Sequence, residues 1–430
     1  MKSIPRRRAG VVAAIAVAGV LLASCSKADT ASTTNSSSSS DSGGGNAAAV
    51  ATSSSSSSSD TAMSSAMTGS DTSAMSGSKT AMSSPSAMSG SETAMSSSSA
   101  MSGSETMSSG MSSGPASSSP PAAGGTCTLD KYGATKFDLK GAIVGFSQSE
   151  PETAAFRVAE TKSIEDEAAK IGVKKLLHTD ANSQLSKQIS DIKDMLNQGA
   201  QFLIVAPLNS DGLEPALAAA KAKHVPVITI DRKVNATPCS DYVTFIGSNF
   251  VEQGKRAADA LAKSAGNKGN IAILLGSSGN NVTTDRTSGF LTEIKKVAPD
   301  MKIVAQQTGD FARDKGQSVM ETLLQAHPDI TAVYAENDEM GLGAIVAIQA
   351  AGKAPGKDIK VVSIDGTKNA VQAIVDGKYN AVIESNPRFG PLAFKTAQDF
   401  LNGQPIPFNT IISDKEYDTS NAKQNVNDAF

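Results

Sequence analysis

Beyond residue 140 the chain alternates between short apolar runs and longer stretches of mixed polarity. Runs at 142–147, 173–178, 202–206 and 225–230 are of strand length and almost continuously apolar. Such runs fit strands of a parallel sheet covered by helices on both faces, where no position meets water. The stretches between them, at about 153–170, 183–198 and 212–223, read as helices. A run at 242–246 carries the chain across, and the rhythm restarts. Later strands are predicted at 270–275, 302–306, 332–334, 361–364 and 381–383, separated by helices such as 251–264, 313–325 and 341–351. Two successive series of β-α units predict an α/β fold of two doubly wound parallel-sheet lobes.

The first 125 residues do not share this rhythm. Lys2, Arg6, Arg7 and Arg8 precede an apolar run from Ala9 to Ala23, short for a bilayer span and suited to a signal peptide. The run ends Leu22-Ala23-Ser24-Cys25, which resembles the bacterial lipobox, cut before the cysteine and lipidated on its thiol. The expectation is a signal peptide over 1–24 and a membrane anchor at Cys25, with more than one lipid chain making attachment firm. Residues 25–125 are mostly Ser, Ala, Gly, Thr and Met, without aromatics. They lack the apolar surface to offset ordering entropy, which predicts a disordered tether. Ser-Ala-Met-Ser-Gly-Ser begins at Ser73, Ser86 and Ser99, but these repeats have no core-forming face. A flexible chain of about 100 residues typically spans roughly 50–60 Å.

The folded part is expected at 126–430. Lys and Arg total 39 against 42 Asp and Glu, a net charge of −3, and no basic patch suggests a nucleic-acid partner. Of three cysteines, Cys25 is assigned to lipid, leaving Cys127 and Cys239 as an even pair whose oxidising compartment predicts a disulfide. His178, His224 and His327 are too scattered for a metal site, and the repeated Met residues lack the His or acidic neighbours of a copper site. No cofactor is expected. No nucleophile elbow is present, and Gly276-Ser277-Ser278-Gly279 lacks the lysine of a phosphate loop, which argues against an enzyme.

Ligands of doubly wound sheets sit beyond the carboxyl ends of the strands. That rule selects Ser147–Gln148, Pro207–Leu208, Asp231–Arg232, Gly276–Ser277, Glu336–Asn337, Asp365–Gly366 and Ser385–Asn386. Asp231 and Asp365 offer charged acceptors, Arg232 and Arg286 offer forks of donors, and Asn337 offers both kinds of group. Phe156 and Phe311 supply apolar faces. A monosaccharide, a ring of hydroxyls with a weakly apolar C–H face, calls for this mixture.

Ile230-Asp231-Arg232, Asp285-Arg286 before Gly289-Phe290, Glu336-Asn337-Asp338-Glu339-Met340 with Gly343-Ala344, and Ile364-Asp365-Gly366 resemble the periplasmic sugar-binding proteins of the ribose-binding family. The likeness runs from about Ala142 to Pro405. Gly145-Phe146-Ser147-Gln148, Phe156-Arg157, Ala159-Glu160-Thr161 and Gly309-Asp310-Phe311-Ala312-Arg313 look most like the galactofuranose-binding branch. The resemblance implies sugar contacts at Arg157, Asp231, Arg232, Arg286, Asn337 and Asp365, with secondary ones at Gln148, Glu152, Phe156, Phe311 and Asn386. The stretch from Gln148 to Arg157 is one residue longer than in that branch, so either Glu150 or Glu152 holds the acidic position. Phe156 stands where the branch usually has Trp, and Ala206 where the ribose binder has Asn.

The resemblance also implies three crossovers, near 247–249, 385–387 and 411–414. They divide the chain into one lobe of about 138–246 plus 387–412 and another of about 250–384 plus 413–430. It implies a monomeric, extracytoplasmic, lipid-anchored receptor that closes on a monosaccharide, galactofuranose-like or another pentose or hexose. The receptor would deliver the sugar to an ABC permease with its ATPase. The alternative is a receptor that signals to a sensor kinase; a glycoside-acting enzyme fits less well.

Overall fold

The computed structural model describes residues 124–430. The expected signal peptide, Cys25 and nearly all of the expected tether lie outside the described residues. Strand β1 (Thr126–Cys127) and helix α1 (Leu129–Tyr132) lead into β2 (Ile143–Gln148), α2 (Ala155–Ile171), β3 (Lys175–Asp180) and α3 (Leu185–Asn197). Then come β4 (Phe202–Val205), α4 (Glu214–Ala222), β5 (Val227–Ile230) and β6 (Thr244–Gly247).

Past Gly247 the chain builds the second lobe: α5 (Phe250–Ala265), β7 (Gly269–Leu275), α6 (Asn281–Val297), β8 (Met301–Thr308) and α7 (Arg313–Ala326). It continues through β9 (Ala332–Ala335), α8 (Asp338–Ala350), β10 (Lys360–Asp365), α9 (Lys368–Val375) and β11 (Ala381–Glu384). Helix α10 (Gly390–Leu401), β12 (Ile406–Pro407) and β13 (Asn409–Ile411) return to the first lobe. Strand β14 (Glu416–Asp418) and α11 (Ala422–Asn425) end in the second.

The first lobe's sheet runs β13-β6-β5-β4-β2-β3 and is wholly parallel. The second runs β14-β11-β10-β9-β7-β8, with only β14 antiparallel. In each lobe the first long strand lies between the second and third, so loops on either side of it diverge and leave a crevice at the carboxyl edge.

The continuous apolar runs follow from burial on two faces. Along β4, Phe202 and Ile204 enter one core with α10 residues Phe394 and Phe400, while Leu203 and Val205 enter another with Met195 of α3 and Leu217 of α4. Strand β7 divides likewise, with Ile271 and Ile273 on one side and Ala272 and Leu274 on the other. Residues 126–137, outside the expected lobe boundary, join the first lobe, where Cys127, Leu129 and Tyr132 are buried in its core. The two- and three-residue strands β1, β12, β13 and β14 are too short to show periodicity and exist only through pairing.

Helices α5 and α6 touch backbone to backbone. A Cβ on Gly254 would meet the carbonyl of Arg286, and one on Gly289 the carbonyl of Val251, so only glycine allows this approach. The contact fixes the height at which α6 presents Arg286.

Cys127 and Cys239 are joined in a disulfide that ties the lead-in to the loop after β5, 112 residues on. A crosslink closing so long a loop removes much unfolded-state entropy. Cys127→Ser should lower unfolding stability by about 2–4 kcal/mol under non-reducing conditions. Equal denaturant midpoints for wild type and variant would show that the bond contributes nothing.

Candidate ligand-binding cleft

A cavity of about 1000 Å³ lies between the carboxyl edges of the two sheets. The first lobe lines it with Glu150, Phe156, Arg157, Asp231 and Arg232, and the second with Arg286, Phe311, Asn337 and Asp365. Asp231, Arg232, Arg286 and Asp365 are each 2–4% exposed. Charges so deeply buried persist only when paired and hydrogen-bonded.

The first-lobe pairing centres on two guanidinium groups. Arg157, in the first turn of α2, donates from Nε to Glu150 at 2.9 Å, and from Nη1 to Glu160 and Asp231, both at 2.7 Å. Arg232 donates to the other oxygen of Glu150 at 2.8 Å and to the Leu208 carbonyl at 3.1 Å. Burial by itself would raise Glu150, but Arg232 and Arg157 hold its pKa at about 2. Glu150 is therefore a fixed carboxylate bridging both arginines.

In the second lobe, Arg286 donates to the Glu336 carbonyl and, at 3.4 Å, to Asp365. Burial pushes Asp365 well above the usual carboxylate range; Arg286 opposes this, and Asp338 and, from across the cavity, Asp231 add to it. Asp338 supports the turn that presents Asp365. Its carboxylate accepts from the Ser363 hydroxyl, the Gly366 and Thr367 N–H groups and the Thr367 hydroxyl, at 2.5–2.9 Å. Asn337 caps α8 through the Met340 N–H at 3.0 Å, and its amide donates to the Phe311 carbonyl at 3.1 Å. An amide has two N–H groups, so one remains for a ligand.

Backbone strain gathers at the same edges. Asp231 has φ 63°, Asp310 51°, Phe311 60° and Asp365 143°. Side chains other than glycine's rarely adopt such values, and the cost is accepted mainly where a residue must be aimed. At Asp231 the Arg232 N–H closes on the Ile230 carbonyl at 2.7 Å, a turn that sends neighbouring side chains into the cavity together. The Phe311 ring lies over Gly276, which has no room for a Cβ, and the Arg232 guanidinium stands 5.8 Å from its centre. Arg157 lies 5.0 Å from the Phe156 ring centre.

Three expected contacts lie elsewhere. Gln148, the last residue of β2, is buried under α2 and bonded to Glu160 at 2.9 Å and Thr161 at 3.3 Å, so it supports Arg157 from behind. Glu152 turns outward to His178, 3.1 Å away, and Glu150 is the acidic residue that reaches the arginines. Asn386 sits in a crossover, where its side chain accepts from the Arg388 N–H at 3.0 Å. Arg286 lies in the second turn of α6. The sequence did not mark Asn209, Arg313 or Glu339 as contacts, and marked Ser277 only as a strand-end position. All four line the cavity, with Arg313 and Glu339 paired at 2.7 Å. Ser277 lies two residues past the end of β7, whereas Asn209 lies four past the end of β4, in the loop to α4, beyond the reach of the strand-end rule. No group of three or more His, Cys, Asp or Glu among the described residues is arranged to hold a metal.

Two such lobes sharing one charged crevice can be compared with known proteins. Residues 144–405 match the family described as periplasmic binding protein domain. The chain belongs to this family. Within it the chain falls among the ribose-binding type I proteins, as expected from its motifs. It is 40% identical to the ribose import binding protein of Bacillus subtilis (strain 168), over 58% of this chain and 79% of the relative. It is 37% identical to the galactofuranose-binding protein of Escherichia coli (strain K12), over 61% and 83%. A Mycobacterium smegmatis structure in complex with β-D-fucofuranose superposes with a TM-score of 0.63 at 40% identity, covering 66% of this chain and 93% of that one. This periplasmic binding protein is a binding protein and not an enzyme.

Glu336 lies behind the cleft. Burial pushes its pKa from an ordinary 4.5 to about 7, against hydrogen bonds from the Gly276 N–H and the Thr287 hydroxyl. Between these values the folded form holds a proton that the unfolded chain releases, so stability falls as pH rises from about 4.5 through about 7. Glu336→Gln should flatten that part of a melting-temperature profile. An unchanged slope in the variant would remove Glu336 as its source.

Proposed function

We propose that the protein is an extracytoplasmic receptor that binds a monosaccharide in furanose form between its lobes and passes it to an ABC permease with its ATPase. The observation that carries this reading is the convergence of paired, buried Arg and Asp groups from both sheets on one cavity. Arg157, Asp231, Arg232, Arg286, Asn337 and Asp365 are the assigned hydroxyl contacts. Glu150 takes the acidic position, and Phe156 and Phe311 cover the C–H faces. Charge-assisted bonds of this kind are the stronger ones and fix a sugar's orientation. The furanose preference follows the galactofuranose-like motifs and the fucofuranose ligand named for the Mycobacterium smegmatis protein.

Contacts from both lobes mean that sugar favours the closed arrangement, which a permease can then select. The Ser210 N–H donates to the Gly279 carbonyl and the Lys233 N–H to Asn281, both at 2.9 Å across the gap, so closure adds bonds beyond those to ligand. Attachment through lipidated Cys25 and a tether over 25–125 would keep the receptor near its permease.

Thermal-shift measurements against D-ribose, D-galactose and D-fucose test the binding, because a ligand that binds only the folded state raises the melting temperature. At least one sugar should do so. Asp231→Ala should weaken its affinity on the order of 100-fold, from the loss of charged hydrogen bonds worth about 1.5–3 kcal/mol each. No shift with any of the three sugars would overturn the reading. Cys25→Ser should move the expressed protein from the detergent phase to the aqueous phase in detergent partition; continued detergent partitioning would exclude Cys25 as the anchor.

A further inference from the structure

The three crossovers between lobes meet at one half-buried carboxylate. Asp414 lies in the third, between β13 and β14. Its Oδ1 accepts from the Ser248 hydroxyl of the first crossover at 3.1 Å and from the Asn386 N–H of the second at 3.5 Å. Its Oδ2 accepts from Nε2 of Gln253 at 2.8 Å. Gln253, on α5, is 1% exposed. Its second amide hydrogen goes to the Glu384 carbonyl at 3.2 Å, where β11 enters the second crossover. Its Oε1 accepts from Nε of Arg286 at 3.0 Å, and Arg286 itself reaches Asp365.

A single side chain therefore stands between the hinge and the cavity. Its orientation has no alternative. Arg286 has only donors and the Asp414 carboxylate accepts, so reversing the amide would set donor against donor and acceptor against acceptor. An apolar residue of similar volume would fill the space without the desolvation cost of a buried amide. The polar choice gives a fully satisfied network, which admits one arrangement of its members and resists intermediate ones. Rotation at the crossovers moves Asp414, Ser248 and Glu384, and through Gln253 the movement reaches Arg286.

We propose that Gln253 is a positioning residue that couples the twist of the three crossovers to the placement of Arg286 and Asp365 in the cleft. The closed hinge and the ligand-ready cleft then form one state. This rests on the sugar-receptor reading above, and it assigns Gln253 no contact with sugar.

The test uses the full-length protein and whichever of D-ribose, D-galactose or D-fucose stabilises wild type. Gln253→Met keeps the volume and removes the bonds; Asp414→Asn alters the hinge end without touching the cavity. Each should weaken sugar affinity at least 10-fold and reduce the decrease in radius of gyration that sugar causes in solution scattering. The double variant should be little worse than either single one, since both cut the same connection. A purely structural role would lower the melting temperature without making the affinity losses non-additive. If wild type binds none of the sugars, the receptor reading itself fails. If wild type binds and either folded variant retains its affinity and its scattering change, or the two losses add in full, the coupling is wrong.

Discussion

The structure depends on how it accommodates charge in a gap that excludes water. Arg157, Arg232 and Arg286 are almost wholly buried, and each is matched to carboxylates or carbonyls at the edge of its own sheet. An unpaired charge there would cost several kcal/mol. The pairing is done within each lobe, so each half of the cleft is preassembled and no guanidinium waits for the opposite lobe to neutralise it. Glu150, bridging two arginines with its pKa held at about 2, is the clearest instance.

Preassembly explains features otherwise unrelated. The positive φ angles at Asp231, Phe311 and Asp365 are local costs that aim side chains inward, and neighbouring bonds hold them there. Asp338 spends its whole carboxylate on the turn that carries Asp365. Gly254 and Gly289 bring α5 against α6, which sets Arg286 within reach of both Gln253 and Asp365. Hinge, helix pair and cleft are linked by ordinary hydrogen bonds across a short distance, although Gln253 and Asp414 are 161 residues apart in sequence.

Much of this was legible along the chain, for identifiable reasons. A strand buried on both faces must be largely apolar, so β2, β4, β5, β7, β9 and β10 stood out, and the first polar residues at their carboxyl ends marked the cleft. Asp231, Arg232, Asn337 and Asp365 were found in this way. Arg286 was picked out for its fork of donors, whereas Arg157, within a helix where a charged residue has no such marker, came from resemblance to a known family. Glu150 and Glu152 could not be separated, because the choice depends on the path of a loop around two arginines. Gln148 was misplaced because β2 extends one residue further and turns its side chain beneath α2.

The sequence by itself determined two α/β lobes, their strand ends and the kinds of group waiting there, because hydrophobic periodicity and turn chemistry are local properties. Only the tertiary structure decided which carboxylate meets which guanidinium, which polar residues face the cavity and which brace it from behind, and that the crossovers converge on Asp414. Those outcomes depend on distances between segments far apart in the chain, and hydrogen bonds and ion pairs act only at contact.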